Sequence, residues 1–154
     1  MRKTSRTMRC ILVTMLMTVC FIAFTDVVSA NNNTDTRYTF NFSNNNKYTS
    51  ARTKYDDSCC YMYYNNGTIS YKASARGQDD TSTSGSSSID CSQGYKYQFT
   101  SAHQKRFMYN NVYESGLSFL RIKGESGSSG TSKGYWSPDS VNQETVLPPT
   151  DYIP

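Results

Sequence analysis

Apolar side chains recur at every second position along much of this chain, and this alternation limits the fold more than any other feature. Tyr38, Phe40 and Phe42 alternate with polar residues, and Ile69 and Tyr71 begin a second such run. Because successive side chains of a strand point to opposite faces, period-two alternation indicates strands with one buried face. No window after residue 30 carries the i, i+3, i+4, i+7 apolar spacing of a helix over two turns or more. The sequence therefore predicts an all-β chain.

Six or seven short segments fit this pattern, and turn-forming residues separate them. They are centred on 37–42, 61–64, 68–75, 95–99, 107–111, 117–123 and 134–136. Short strands at this spacing are typical of a single small antiparallel β-sandwich or barrel, which is the fold we expect. Asn65, Asn66 and Gly67 lie between two of the segments, and Asn and Gly accept the positive φ of a tight turn. We therefore predict a hairpin that pairs 61–64 with 68–75.

Residues 1–30 have the parts of a secretory signal peptide. Four basic residues precede an apolar stretch over 10–24, and Val28, Ser29 and Ala30 supply the small residues of a cleavage site. The apolar stretch is about fifteen residues long, short of the roughly twenty that a spanning helix needs. We expect cleavage after Ala30, secretion of the mature protein, and no stable membrane insertion once the signal is removed.

Composition divides the mature chain into a β domain over 31–141 and a tail over 142–154. Two stretches of the domain, 77–93 and 124–134, are rich in Gly and Ser and poor in apolar residues. Such stretches bury little surface, so we predict mobile loops there. Pro148, Pro149 and Pro154 oppose regular structure, which predicts a loose tail.

Charge argues against a nucleic-acid partner. Four of the 16 basic residues and one of the 12 acidic residues lie within residues 1–30, so the remainder carries a net charge of only +1. Its basic residues are scattered among acidic ones, whereas a nucleic-acid interface gathers Lys and Arg on one face. We expect no binding of DNA or RNA.

Three cysteines remain after signal cleavage, in a compartment that permits disulfides. We expect one bridge, from Cys91 to either Cys59 or Cys60, because a ring between the two adjacent cysteines would be strained. The alternative is three unpaired thiols that pack as small apolar residues.

Aromatic residues are the one excess that points to a function. All 13 tyrosines lie in the mature chain, and a tyrosine offers both an apolar ring and a hydroxyl group. Tyrosines on one sheet face would form a platform that stacks on a sugar or a partner protein. The candidate binding residues are Tyr61, Tyr63, Tyr71, Tyr135 and Trp136. The competing interpretation is that these rings are ordinary strand residues, and for Trp136 we expect a core position.

No residue pattern names a reaction, so we predict no catalytic residues and no enzyme activity. His103 is the only histidine, and its polar neighbours indicate a solvated loop. The acidic residues mostly adjoin turns, where Asp caps backbone amides, and we expect this role for Asp139. One histidine and three cysteines without Cys-x-x-Cys spacing do not form a zinc site, so we expect no metal and no cofactor.

Four segments resemble a family of small exported proteins of Gram-positive bacteria (Firmicutes) that is known only as a domain of unknown function. They are 48–54, 71–77, 110–116 and 134–141, and the last ends in Trp-Ser-Pro-Asp-Ser-Val, the most specific piece. The resemblance implies a bacterial source and a β fold, but no activity. The size, export signal and late Trp136 are also similar, more weakly, to lactococcin-type bacteriocins, which are secreted β-sandwich peptides.

Two functions of different classes follow. The first is a secreted, non-enzymatic bacterial protein that binds cell-surface glycan or protein through a face rich in Tyr and Trp. The alternative is a bacteriocin-like antimicrobial protein. Lysis by an amphipathic helix is disfavoured because no such helix can be identified in the sequence.

Overall fold

The computed structural model describes residues 32–140, which form two antiparallel sheets packed face to face. The strands are β1 (Thr36–Ser43), β2 (Lys47–Tyr48), β3 (Arg52–Thr53), β4 (Cys60–Gly67), β5 (Tyr71–Gln78), β6 (Ile89–Asp90), β7 (Tyr97–Phe99), β8 (Gln104–Met108), β9 (Phe119–Glu125) and β10 (Ser129–Ser137). Within these residues the helical content is a single 3-10 turn, Gly85–Ser87. The all-β sandwich expected from the alternation is confirmed, with several very short strands beyond the six or seven predicted.

The four-stranded sheet has the order β1-β10-β4-β8. The six-stranded sheet has the order β2-β9-β5-β6, with β3 also paired to β9 and β7 also paired to β5. The first long strand pairs with the last over its whole length, from Thr36 opposite Trp136 to Ser43 opposite Ser129. The two ends of the domain are therefore neighbours in one sheet.

Aromatic rings fill the space between the sheets. On β1 the residues that alternate with exposed ones, Tyr38, Phe40 and Phe42, are all buried. They meet Tyr71 of the opposite sheet, whose ring stacks on Phe99 at a centroid distance of 5.0 Å. Burying rings of this size on both sheets stabilises the domain, because each aromatic side chain removes a large apolar area from water.

The predicted hairpin between 61–64 and 68–75 is wrong. β4 lies in the four-stranded sheet between β10 and β8, whereas β5 lies in the six-stranded sheet beside β9. The connection after Gly67 therefore crosses from one sheet to the other instead of reversing within one. Tyr64 of β4 and Tyr71 of β5 are both buried, and their rings meet across the core at a centroid distance of 5.5 Å, a contact that the packing of one sheet on the other provides.

The Gly/Ser-rich stretches are also more regular than predicted. Most of 124–134 belongs to strands, because β9 continues to Glu125 and β10 begins at Ser129. The stretch 77–93 contains the end of β5, the 3-10 turn and β6. Backbone pairing holds these segments without large side chains, and at Gly124 any Cβ would press into the ring of Phe40. The predicted signal peptide and the predicted tail lie outside the described residues.

Candidate functional site

The candidate site is the outer face of the four-stranded sheet. Along β4 the side chains alternate strictly, with Cys60, Met62 and Tyr64 buried while Tyr61 and Tyr63 reach the surface. The neighbouring strands follow the same rule. The residues that share this outer face with Tyr61 and Tyr63 are Arg37, Thr39, Asn41, Lys133, Tyr135, Lys105 and Phe107.

Four of these residues form a straight row across the sheet, which we call the tyrosine row. Arg37 lies opposite Tyr135, Tyr135 opposite Tyr63, and Tyr63 opposite Lys105. The Arg37 guanidinium carbon is 5.9 Å from the Tyr135 ring centroid, and the Lys105 amine is 5.5 Å from the Tyr63 centroid. These are cation–π distances, so each ring holds a cation beside it. The result is two half-exposed phenol rings with a positive charge at each end.

A glycine sets the register of this row. A Cβ on Gly134 would collide with the carbonyl oxygen of Tyr63, so only glycine lets β10 approach β4 this closely. The register shifts between Lys133 and Gly134, as in a β-bulge, and after the shift Tyr135 lies directly opposite Tyr63. The close approach and the bulge therefore bring the two tyrosines side by side.

A second aromatic pair lies next to the tyrosine row, at the mouth of an open groove. The rings of Tyr61 and Phe107 are 5.4 Å apart, and Phe107 is 40% exposed. The groove has a volume of about 410 Å³. It is lined by Asn33, Asp35, Tyr61, Lys105, Phe107, Ser137, Asp139 and Ser140. Burial raises the pKa of the Tyr61 hydroxyl, and the charges of Asp35 and Tyr63 add to that effect. Apolar rings and polar donors therefore line the same groove.

His103 extends the site through its contact with Tyr63. Its Nδ1 lies 3.1 Å from the Tyr63 hydroxyl, and its backbone N–H donates to the Tyr64 carbonyl at 2.6 Å. The side chain is exposed, as a loop histidine should be. The His103 ring therefore orients the Tyr63 hydroxyl.

The structure separates two of the five candidate binding residues from the other three. Tyr71 is 1% exposed and belongs to the six-stranded sheet, and Trp136 is wholly buried. Trp136 follows outward-facing Tyr135, so alternation turns it inward, where the Arg52 guanidinium lies 5.5 Å from its ring. Placing Tyr71 and Trp136 on a binding face is therefore wrong, and the core position expected for Trp136 is correct.

Among the residues of the face that sequence reasoning missed are Arg37, Lys105 and Phe107. Arg37 could have been found, because it alternates with the buried Tyr38 and must point away from the core. Lys105 and Phe107 reach the site only because β8 pairs with β4, and no local pattern indicates that pairing. A cation at each end of the row is thus a product of strand order.

The three cysteines of the described residues are unpaired and buried, so the expected bridge from Cys91 to Cys59 or Cys60 is not formed. The Cys60 thiol donates to the Met108 carbonyl at 3.4 Å, while Cys91 lies beside Gly77 at the other sheet. Burial raises the pKa of the Cys60 thiol to about 12, which keeps it protonated and unreactive. These side chains behave as small apolar residues.

Residues 32–140 contain no group of three or more His, Cys, Asp or Glu side chains that could hold a metal ion. A search of the same residues for a helix long and apolar enough to cross a membrane found none.

A family model for proteins of unknown function, DUF2712, matches residues 26–140. The chain belongs to this family. The resemblance to a family of unknown function is confirmed in that form, and the DUF2712 match ends inside the Trp-Ser-Pro-Asp-Ser-Val segment, at Ser140. No curated protein matches the chain, and no solved structure does. DUF2712 membership brings no activity with it, so the function must be argued from the site.

Proposed function

We propose that this chain is an exported, non-enzymatic bacterial protein that binds a cell-surface glycan on the outer face of its four-stranded sheet. The signal-peptide pattern, with cleavage after Ala30, supports the export part. The tyrosine row supports the binding part, because it presents two adjacent rings on a rigid sheet. The proposal also holds that the mature protein does not insert stably into a membrane and does not bind nucleic acid.

The chemistry of the face favours a sugar polymer over a small ligand. A sugar ring stacks its C–H surface on a phenol ring and hydrogen-bonds through its hydroxyls, and the face offers both kinds of contact. Tyr61 and Phe107 continue the aromatic surface beyond the row, and Asn33 and Asp35 add polar groups in the groove. An open groove suits a long ligand, whereas small molecules are bound in enclosing pockets.

Charge narrows the class of glycan. Arg37, Lys105 and Lys133 lie on the outer face. The groove beside them is lined by two acidic residues, Asp35, which is exposed, and Asp139, which is buried. Positive charge on both sides of the rings favours a glycan that carries carboxylate or phosphate groups. Three cations at a rim also predict binding that weakens as salt is added.

The test is co-sedimentation of residues 31–154 with isolated Gram-positive cell walls. We expect retention of the protein, and we expect Tyr63→Ala to weaken it about tenfold, because removing a central aromatic contact of this kind costs more than about 1 kcal/mol. Exchanging Arg37 and Lys105 for Gln should remove most of the salt dependence while leaving residual binding through the rings.

Tyr113→Ala is the matched control, since Tyr113 is 53% exposed but belongs to the loop before β9 and not to the sheet. Equal loss of retention in Tyr113→Ala and Tyr63→Ala would show that the row is not the binding surface. No retention of the wild type on any wall preparation would overturn the glycan proposal. Growth inhibition of the same cells would instead support the bacteriocin-like alternative.

A further inference from the structure

A buried amine and a buried carboxyl group lie in contact at one end of the sandwich. Lys54 follows β3 and Asp139 follows β10, and both side chains have 0% exposure. Lys54 Nζ is 2.7 Å from Asp139 Oδ1. Charged side chains are rarely buried so completely, because removing both from water costs more than the contact between them returns unless further bonds compensate.

Asp56 and Ser58 complete the surroundings of the amine. Lys54 Nζ donates to the Ser58 carbonyl at 2.5 Å and lies 3.5 Å from Asp56 Oδ1. Burial acts to raise the pKa of Asp56, but hydrogen bonds from Ser58 and the charge of Lys54 outweigh it and hold that pKa below its ordinary value. A second carboxylate, which stays ionised, is therefore placed beside the amine.

The far oxygen of Asp139 has its own donors. Oδ2 accepts the backbone N–H of Asn32 at 2.8 Å and the backbone N–H of Tyr55 at 3.3 Å. The expectation that Asp139 binds backbone amides near its own turn is wrong in the location of the donors, because both amides come from distant segments. Two N–H groups on one carboxyl oxygen are the arrangement that stabilises an oxyanion when the carbon is attacked.

We propose that Lys54 and Asp139 condense to an intramolecular isopeptide bond. Attack by a neutral amine on a neutral carboxylic acid is disfavoured in water, where both groups are charged and hydrated. Here both side chains have 0% exposure, so the hydration that opposes the reaction in water is absent. Fixing the two groups in contact also replaces an encounter in solution by a reaction of very high effective concentration.

The step balances without any further reagent. One proton moves from the Lys54 ammonium, through Asp56, to Asp139 Oδ1, which leaves a free amine and a carboxylic acid. Nζ then attacks Cγ, and the negative charge gathers on Oδ2 between the two N–H donors. The Cγ–Oδ1 bond breaks, Oδ1 takes a second proton from Nζ and leaves as water, and an amide joins Nζ to Cγ. Nothing is oxidised or reduced.

Such a bond would join residues that are 85 positions apart and close the end of the sandwich. Lys54 leaves the six-stranded sheet, whereas Asp139 follows the last strand of the four-stranded sheet. The bond would therefore hold the two sheets together covalently. This role is the one that a disulfide serves in many exported domains, and the three cysteines of the described chain do not supply it.

The experiment is intact-mass spectrometry of the folded full chain after it is denatured and reduced. We expect the wild type to be lighter than its sequence by one water molecule. Trypsin digestion should then give one branched species, in which the peptide containing Lys54 is joined to the peptide that begins at Gly134, and trypsin should not cleave after Lys54.

Two variants separate the bond from a simple ion pair. Lys54→Arg keeps the cation but has no primary amine, so it should retain the full sequence mass. Asp56→Ala keeps both reacting groups but removes the proton relay, so it should lose water far more slowly while amide NMR spectra remain those of a folded protein. A folded wild type that keeps its full sequence mass after prolonged incubation at neutral pH would overturn the proposal.

Discussion

The tyrosines of this protein fall into two groups that differ in environment and not in sequence. Tyr38 and Tyr71 lie between the sheets, where their hydroxyls hydrogen-bond to each other at 2.8 Å. Tyr63 and Tyr135 lie on the outer face of the four-stranded sheet, beside cations. In the core the hydroxyl must find a partner within the protein, whereas on the surface it is also accessible to water or a ligand. The count of tyrosines therefore says little about binding until each ring is assigned to a face.

The largest expected difference between the two groups is the loss of folding stability when alkaline pH ionises the buried tyrosines. Burial, acting first among the causes, raises the pKa of Tyr38 and of Tyr97 to about 12. The unfolded chain loses these protons near pH 10, so stability is intact below that pH and falls as the pH rises toward 12. Each such tyrosine removes about 1.4 kcal/mol per pH unit in this window, enough in sum to unfold a small domain.

The measurement is a pH titration that follows tyrosinate absorbance and near-ultraviolet circular dichroism together. We expect some tyrosines to ionise while the circular dichroism is unchanged, and the rest to ionise only as the signal is lost. A single smooth titration with no loss of tertiary signal would contradict the distinction between the two groups.

Truncating neighbouring aromatic residues of β10 should show the next largest difference. Trp136→Ala leaves a cavity in the core and should lower the free energy of unfolding by about 3–5 kcal/mol. Tyr135→Ala removes a half-exposed ring from the adjacent position and should cost about 1 kcal/mol or less. Urea denaturation of both variants measures the contrast, and equal losses would show that Tyr135 is also a core residue.

Removing single hydroxyl groups should give the smallest difference. Tyr71→Phe takes away one of the two partners of the buried Tyr38 hydroxyl, which keeps its bond to Ser132, and should cost about 1 kcal/mol. Tyr63→Phe removes only an exposed bond to His103, and its effect should stay within about 0.5 kcal/mol. Thermal unfolding of the two variants under the same conditions measures this difference. A larger loss of stability for Tyr63→Phe than for Tyr71→Phe would show that the surface hydroxyl stabilises the fold.

The alternation predicted which side chains are buried better than it predicted which strands are neighbours. On β1 and β4 it identifies the inward positions, such as Phe40, and the outward ones, such as Tyr63. The prediction of neighbours failed where a segment could bury its apolar face in two different arrangements, as in the segment that follows Asn65 and Asn66. A hairpin and a crossing to the other sheet use the same local residues, and only packing between sheets distinguishes them.

The buried Lys54–Asp139 contact shows the same limit for polar groups. Asp139 in its turn was identified as a hydrogen-bonding residue, but nothing near it in sequence points to Lys54. The pair forms because β10 ends beside the segment that follows β3, and this proximity depends on the order of strands in both sheets.

By itself the sequence determined the class of fold, since period-two alternation leaves a strand as the only regular structure that can bury one face of each segment. It also determined which side chains of β1 and β4 point inward and which point outward. The tertiary structure alone decided which outward residues meet. Tyr135, Tyr63, Arg37 and Lys105 come from four strands, and their alignment depends on register across three strand pairs, which long-range packing selects and local sequence does not.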